Sequence, residues 1–366
     1  MDRPWYQLSD ESGTDTPALL VYPDRVEQNI ALLKSMIDDP GRLRPHAKTH
    51  KTREATRLLM RAGIYKFKCA TLSEAVMLGD CGAPDVLLAY PLTHPRLERF
   101  IHLIRQYPAT RYAAIADNTG TAEAISVAAT SHGVVVPLYL DINLGMNRTG
   151  IRPGEAAINL YRFCTGLPGL DVRGFHAYDG HVRETDLLKR KDLCDANYRP
   201  LRNMIRQLKD EGVGGVEVII GGSPSFPVYA AYPDVECSPG TFIFWDKGYQ
   251  DTLPEQPFLP AAVLMTRVIS LPDDELLCLD LGYKAIASEN PLDRRVYFLN
   301  GPDLRPVSHS EEHMVVQAGA GHSWKIGDVL YALPVHVCPT VALYGELLEV
   351  KGGLIADRWR VAARQR

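Results

Sequence analysis

The order in which strand-like and helix-like stretches follow one another constrains this 366-residue chain more than any single motif does. A first apolar run, Ala18 to Tyr22, precedes an amphipathic stretch with Val26, Ile30, Leu33 and Met36 on one side. Apolar or β-rich runs then recur at residues 43–48, 66–71, 85–90, 111–117, 136–142, 170–178, 216–221 and 235–242, each leading into a helical pattern. Strands that alternate with helices pair in parallel through right-handed crossovers. Eight such units in roughly 200 residues predict a (β/α)8 barrel of the TIM type. An open doubly wound sheet is the rival, but no Gly-x-Gly-x-x-Gly turn follows the first strand. After about Asp246 the rhythm changes. Pro254, Pro257 and Pro260 mark a linker, and short strand-like runs follow at 262–270, 276–280, 296–300, 314–318, 329–333 and 347–350. The expected architecture is α/β: a (β/α)8 barrel over residues 18–245, with a β-domain built from 1–17 and 246–366.

Composition narrows the function classes. The chain is 46% hydrophobic and 23% charged with a net charge of −4, which suits a soluble globular protein and argues against a nucleic-acid partner, for which a basic face is expected. No stretch approaches a membrane span, and the N-terminal residues lack the apolar core of a signal peptide. The seven cysteines are odd in number and scattered, with no Cys-x-x-Cys pair; this pattern favours reduced thiols and a cytoplasmic location.

Active groups of a parallel barrel sit at the C-terminal ends of its strands. The first strand ends in Arg44-Pro45-His46-Ala47-Lys48-Thr49-His50-Lys51, a basic cluster opening into a helix. Gly221-Gly222-Ser223 and Gly240-Thr241 close the seventh and eighth strands. Glycines let backbone N–H groups approach an anion, hydroxyls add donors, and barrels often bind phosphate at these two positions. Two ordinary turns are the plainer alternative. A strand-end lysine facing a phosphate site suggests a Schiff base to pyridoxal phosphate, for which neighbouring cations would keep the amine partly neutral. A basic loop that binds an anionic substrate would look much the same.

A second stretch, Pro334-Val335-His336-Val337-Cys338-Pro339-Thr340, carries a potential metal pair. In an extended chain residues i and i+2 share a face, so His336 and Cys338 can hold one ion together. Imidazole with thiolate suits zinc, and two protein ligands leave positions open for water or substrate. On spacing alone the signal is weak, and a packed histidine with a buried cysteine fits the pattern better.

Arg44–Lys51, Asn147-Arg148-Thr149-Gly150, Tyr178, Gly221-Gly222-Ser223, Pro239-Gly240-Thr241 and His336-x-Cys338-Pro339-Thr340 together resemble the D-threonine aldolase / D-serine dehydratase family, alanine-racemase-like pyridoxal-phosphate enzymes of fold type III. The resemblance spans about Thr16 to Arg364. It implies a barrel followed by a β-domain, a homodimer, pyridoxal 5'-phosphate, and a divalent metal (Zn, or Mn or Mg) beside the cofactor. It also implies roles. Lys48 would anchor the cofactor, Arg148 would face the pyridine nitrogen, and Tyr178 would pack near the ring. Gly222, Ser223, Gly240 and Thr241 would hold the phosphate, and His336 and Cys338 the metal. Glu311-Glu312-His313 resembles a further family stretch with no assigned role.

The reaction expected is that of a lyase acting on small β-hydroxy-D-amino acids. In an aldolase route His50, or a metal-bound water, would take the β-hydroxyl proton before the Cα–Cβ bond breaks to give glycine and an aldehyde. In a dehydratase route Lys48 would remove the α-proton and hydroxide would leave. His-x-Cys resembles the D-serine dehydratases and 3-hydroxyaspartate dehydratases. The short chain and its tail from Trp359 to Arg364 resemble the D-threonine aldolases, the grouping favoured here. An amino-acid racemase and a non-catalytic pyridoxal-phosphate-binding protein are further alternatives.

Overall fold

The computed structural model of the protein describes residues 3–366. Its strands are β1 (Ala18–Val21), β2 (Lys66–Cys69), β3 (Asp85–Leu88), β4 (Arg111–Ala116), β5 (Val136–Asn143), β6 (Leu170–Tyr178), β7 (Glu217–Ile220) and β8 (Glu236–Cys237), then β9 (Ala262–Ser270), β10 (Leu276–Leu279), β11 (Val296–Phe298), β12 (Arg305–His309), β13 (Met314–Gln317), β14 (Val329–Pro334), β15 (Glu346–Lys351) and β16 (Leu354–Arg360). The helices that matter below are α1 (Pro23–Ser35), α2 (Arg53–Arg61), α3 (Leu72–Asp80), α4 (Arg96–Gln106), α5 (Thr119–Ser131), α6 (Glu155–Thr165), α7 (Leu187–Asp210), α8 (Phe226–Tyr229), α9 (Lys247–Thr252) and α10 (Val337–Leu343). By contacts the chain forms two compact units. One holds Leu33–Lys48, Thr56–Gly240 and Gln365–Arg366; the other holds the residues up to Leu32, Thr49–Ala55 and Thr241–Arg364.

In the first unit β2 to β8 run side by side in sequence order, every pair parallel. The segment before Lys48 closes the ring. Leu43 bridges Cys237 on one side and His46 bridges Lys68 on the other. Arg44 N–H donates to Cys237 O at 2.8 Å, His46 N–H to Pro239 O at 3.0 Å, and Ala47 N–H to Lys68 O at 2.8 Å. Pro45 has no N–H to give, so the segment makes isolated bridges rather than a continuous ladder. The expected barrel is therefore present, with its first strand reduced to these bridges and its eighth to two residues. Helices start where the sequence supplies caps: Thr71 accepts from Glu74 N–H at 3.1 Å while the Glu74 carboxylate returns to Ala70 N–H at 2.7 Å. Leu87, Ala113, Ile115, Tyr139 and Ile219 pack together, all but fully buried.

Alternation along the extended part of the closing segment puts Arg44 and His46 on one side, and Lys48 follows in the turn over residues 47–50. Arg44 belongs to the opposite end from Lys48. Its fully buried guanidinium bonds Glu236 at 2.7 Å and Asp85 at 2.6 Å, the first residues of β8 and β3. Arg111 and Lys66, the first residues of β4 and β2, pair with the same two carboxylates. Arg44 is thus a structural plug rather than the electrostatic setting of the strand-end lysine.

The second unit is a mixed sheet in the order β12-β13-β10-β9-β1-β15-β16, with β14 and β11 joined through β9. β1 is a central strand of this sheet, antiparallel to β9 and parallel to β15, and all four of its residues are buried. Leu20, Val263, Met265, Tyr331 and Val350 lie in its core. β12 and β16, unforeseen in the sequence, are edge strands, as is β11; largely exposed side chains give β12 and β16 little apolar alternation, and Pro306 is tolerated at such an edge.

Candidate active site

The barrel unit gathers cations around one aromatic ring. Tyr178 ends β6, and its ring centroid lies 5.7 Å from Lys48 Nζ, 5.6 Å from Lys68 Nζ and 5.1 Å from Arg148 Cζ. Lys68, in β2, is buried. Burial, then the Lys48 charge, pulls its amine down to about 7, against the pull of Asp179 and Asp141. Arg148 rides on a tethered loop. Asn143 Oδ1 accepts from Gly145 and Asn147 N–H, Thr149 Oγ1 donates to Asp141 at 2.7 Å, and Gly150 N–H donates to Asp117 at 2.8 Å. Gly150 has φ +95°, and a Cβ there would meet Asn143 N at 2.7 Å, so only glycine lets the loop close against β5.

Two buried polar pairs support this mouth. His176 Nδ1 bonds Asp141 Oδ1 at 2.7 Å, and His176 Nε2 has no partner among the described residues. Burial lowers the imidazole; burial would raise Asp141, but the His176 hydrogen bond and charge hold its carboxyl low. Asp179 is raised by burial and accepts from Ser225 Oγ at 2.9 Å. Ser225 Oγ in turn accepts Gly222 N–H at 3.1 Å, and Ser223 Oγ accepts Gly240 N–H at 3.2 Å. The glycine–serine turns are thus knitted together through the N–H groups of Gly222 and Gly240. A Cβ on Gly222 would sit 3.0 Å from Tyr178 Cε2, so glycine keeps the floor beside that ring open.

In the other unit His336 and Cys338 do meet, though not by the extended geometry expected. His336 is the extended N-cap residue of α10, while Cys338 lies in its first turn, where Pro339 is tolerated. Glu289 hydrogen-bonds His336 Nδ1, leaving Nε2 toward a ligand position. Burial works against the charged imidazole, but contact with Cys338 and then Glu289 lifts it to about 9. Cys338 Sγ lies 3.2 Å from Thr49 Oγ1 and 3.7 Å from Thr241 Oγ1. Thr241 therefore turns its hydroxyl to the thiol. Asp246, raised to about 6 by burial, accepts Val337 N–H at 3.0 Å and caps α9.

His50 is buried, with Nδ1 3.2 Å from both the N and the O of Thr52 and Nε2 unpartnered among the described residues. Burial pulls it down to about 3, so it stays neutral. Lys51 adopts φ 53° and reaches Ala363 O at 3.4 Å; α2 begins two residues later, at Arg53. Glu311 and Glu312 pair with Lys284 at the surface.

A strand-end amine, clustered cations, Ser223 and an aromatic wall with a glycine floor form a donor set suited to a phosphate-bearing aromatic aldehyde. His336 Nε2 and Cys338 Sγ, with a carboxylate orienting the ring, suit a soft divalent ion. Sequence reasoning placed Asp141 and His176 at strand ends without a role and did not single out Lys68 or Glu289. The first three stand in barrel strands and were readable from strand position; Glu289 lies 47 residues from the histidine it holds and carries no local signal.

The sequence profile of the alanine racemase N-terminal domain matches residues 21–247, most of the chain. The chain belongs to this family. A putative serine dehydratase domain matches residues 261–350. Among relatives, the 3-hydroxy-D-aspartate aldolase of Paracoccus denitrificans (strain Pd 1222) is 27% identical over 378 residues, covering 99% of this chain and 95% of that protein. The D-threo-3-hydroxyaspartate dehydratase of Delftia sp. (strain HT23) is 24% identical over 353 residues, covering 90% and 92%. The crystal structure of D-threonine aldolase from Filomicrobium marinum superposes with a TM-score of 0.89 at 26% identity, covering 100% of this chain and 99% of that one. The alanine-racemase-like fold, barrel and separate mixed sheet, is thereby shared over the full chain.

Proposed function

We propose that the chain is a pyridoxal-phosphate- and divalent-metal-dependent lyase that cleaves β-hydroxy-D-amino acids to glycine and an aldehyde. Support comes first from the contact of Thr49 with Cys338 at 3.2 Å, because Thr49 is the residue that follows Lys48 in the chain. It comes also from relatives that are aldolases of D-configured β-hydroxy amino acids along nearly their whole length.

When bound, the cofactor supplies an electron sink at Cα and the metal a Lewis acid at the β-oxygen. The chain's own residues do the rest. Lys48 carries the amine that anchors and releases, and the buried Lys68 amine faces the same Tyr178 ring beside it. Arg148 and Tyr178 hold and orient the ring, with Gly222, Ser223, Gly240 and Thr241 toward its phosphate. His336 and Cys338 are the metal ligands, with Glu289 as the orienting carboxylate. His50, neutral at working pH, accepts the hydroxyl proton at Nε2 in the tautomer whose Nδ1–H donates to Thr52 O. We extend the proposal to a homodimer and a cytoplasmic location, consistent with seven free cysteines; no described helix is long and apolar enough to cross a membrane.

One observation favours a second reading. Cys338 in the metal pair, together with the putative serine dehydratase domain over 261–350, favours a dehydratase acting on D-serine or D-3-hydroxyaspartate. There Lys48 would take the α-proton and the metal pair would hold the departing hydroxide. Incubation with D-threonine and D-serine in the presence of metal separates the two: glycine with acetaldehyde supports the aldolase, ammonia with an oxo acid the dehydratase.

A further inference from the structure

Within the barrel unit, α4 and α5 bring together three metal-capable side chains that the lyase chemistry does not use. Glu98 and His102 are four residues apart on α4 and so share a face. His132 is the C-cap residue of the neighbouring α5. One ligand atom from each of the three lies within 4.8 Å of the other two. His132 Nε2 is 3.9 Å from Glu98 Oε2, and the two imidazole rings meet edge to face with centroids 5.7 Å apart.

The tautomer of His132 is fixed by its surroundings. Its Nδ1 lies 2.9 Å from Ala128 O. A carbonyl oxygen only accepts, so the proton of the neutral ring sits on Nδ1 and the lone pair sits on Nε2, toward Glu98. An imidazole so held by a backbone carbonyl is the usual arrangement of a metal-bound histidine. A third imidazole stands close by, His94 Nε2 lying 3.6 Å from the other Glu98 oxygen. Tetrahedral zinc with bonds of about 2.0–2.1 Å sets its ligands roughly 3.4 Å apart. Closing from the present spacing takes only side-chain rotation of half-exposed or exposed groups.

We propose that Glu98, His102 and His132 form a second divalent-metal site, selective for zinc-like ions, that clamps α4 to α5 on the outer ring of the barrel. Two imidazoles and one carboxylate give the borderline-soft donor set that zinc takes, with water in the fourth position. The inference is independent of the reaction assigned to the chain, because it uses none of that site's residues.

The test counts zinc bound to the cofactor-loaded, full-length protein, after chelation and re-addition of Zn²⁺, in three forms. These are wild type, His102→Ala/His132→Ala, and His336→Ala/Cys338→Ala. The structure predicts that the helix double variant holds one equivalent less than wild type, while the His336/Cys338 variant still binds zinc. It also predicts that zinc raises the thermal midpoint of wild type and of the His336/Cys338 variant but not of the helix double variant. Both helix substitutions fall on side chains at or near the surface, and an unchanged metal-free melting curve verifies that they fold. Equal zinc content in the helix double variant and wild type would overturn the proposal, as would a zinc-dependent midpoint shift that survives loss of both histidines.

Discussion

Replacing Arg44 by methionine separates the barrel's stability from its chemistry. The guanidinium is wholly buried and bonds two carboxylates whose side chains are only 12% and 13% exposed. Deleting one partner of a buried ion pair costs about 3–5 kcal/mol, because the other charge is left unpaired. Here Asp85 keeps Arg111 and Glu236 keeps Lys66, both of them partly exposed, so the loss belongs at the low end. About 3 kcal/mol is roughly a hundredfold in the folding equilibrium. The sign with pH follows from Asp85. Burial alone would raise its carboxyl, but Arg44 and Arg111 hold it below its ordinary value of 3.8. Its contribution is present above that value and is lost as pH falls through the lower, folded one. Arg44→Met should therefore unfold at higher pH on the acid side and at lower urea, while Lys48, at the other end of the barrel interior, still binds pyridoxal phosphate in the cold. Adding Asp85→Asn and Glu236→Gln should recover much of the loss. An Arg44→Met protein within about 1 kcal/mol of wild type would refute the plug assignment, since that is the range of an exposed pair.

Gly150→Ala should cost about 1–3 kcal/mol through its positive φ and should displace the Arg148 loop, read as weaker pyridoxal-phosphate binding in a fluorescence titration. Glu289→Gln should lower metal affinity at the His336–Cys338 pair by about 10–100-fold, measured by competition with a chromophoric chelator. Lys68→Met should stabilise the fold. The amine is held at about 7 against an ordinary 10.5, so the unfolded chain binds the extra proton between those values. The stability gained by the variant should therefore grow as pH falls from about 10.5 to about 7, as followed by urea unfolding at several pH values.

The barrel was legible because its strands are buried on both faces, and continuous apolar runs separated by helices leave few topologies open. Two features hid from the sequence. β12 and β16 are edge strands whose exposed side chains carry no alternation, and only pairing with β13 and β15 makes them strands. β1 reads like the opening of the barrel, yet its partners lie some 240 and 330 residues away, a choice that no local pattern records. The site was legible where strand ends name it, as with Lys48 and Tyr178. It was illegible where packing decides, as with Lys68 beside Lys48, or Arg44, whose place in the basic octapeptide suggested chemistry but which sits four residues before Lys48, level with the first residues of β3 and β8.

The most direct measurement is product analysis after incubating the cofactor-loaded protein with D-threonine, with and without divalent metal. Equimolar glycine and acetaldehyde should form, should stop on chelation and return with metal, and should be absent from Lys48→Ala and from His336→Ala/Cys338→Ala. Metal-independent conversion of D-threonine to its epimer, without cleavage or ammonia release, would contradict the lyase assignment.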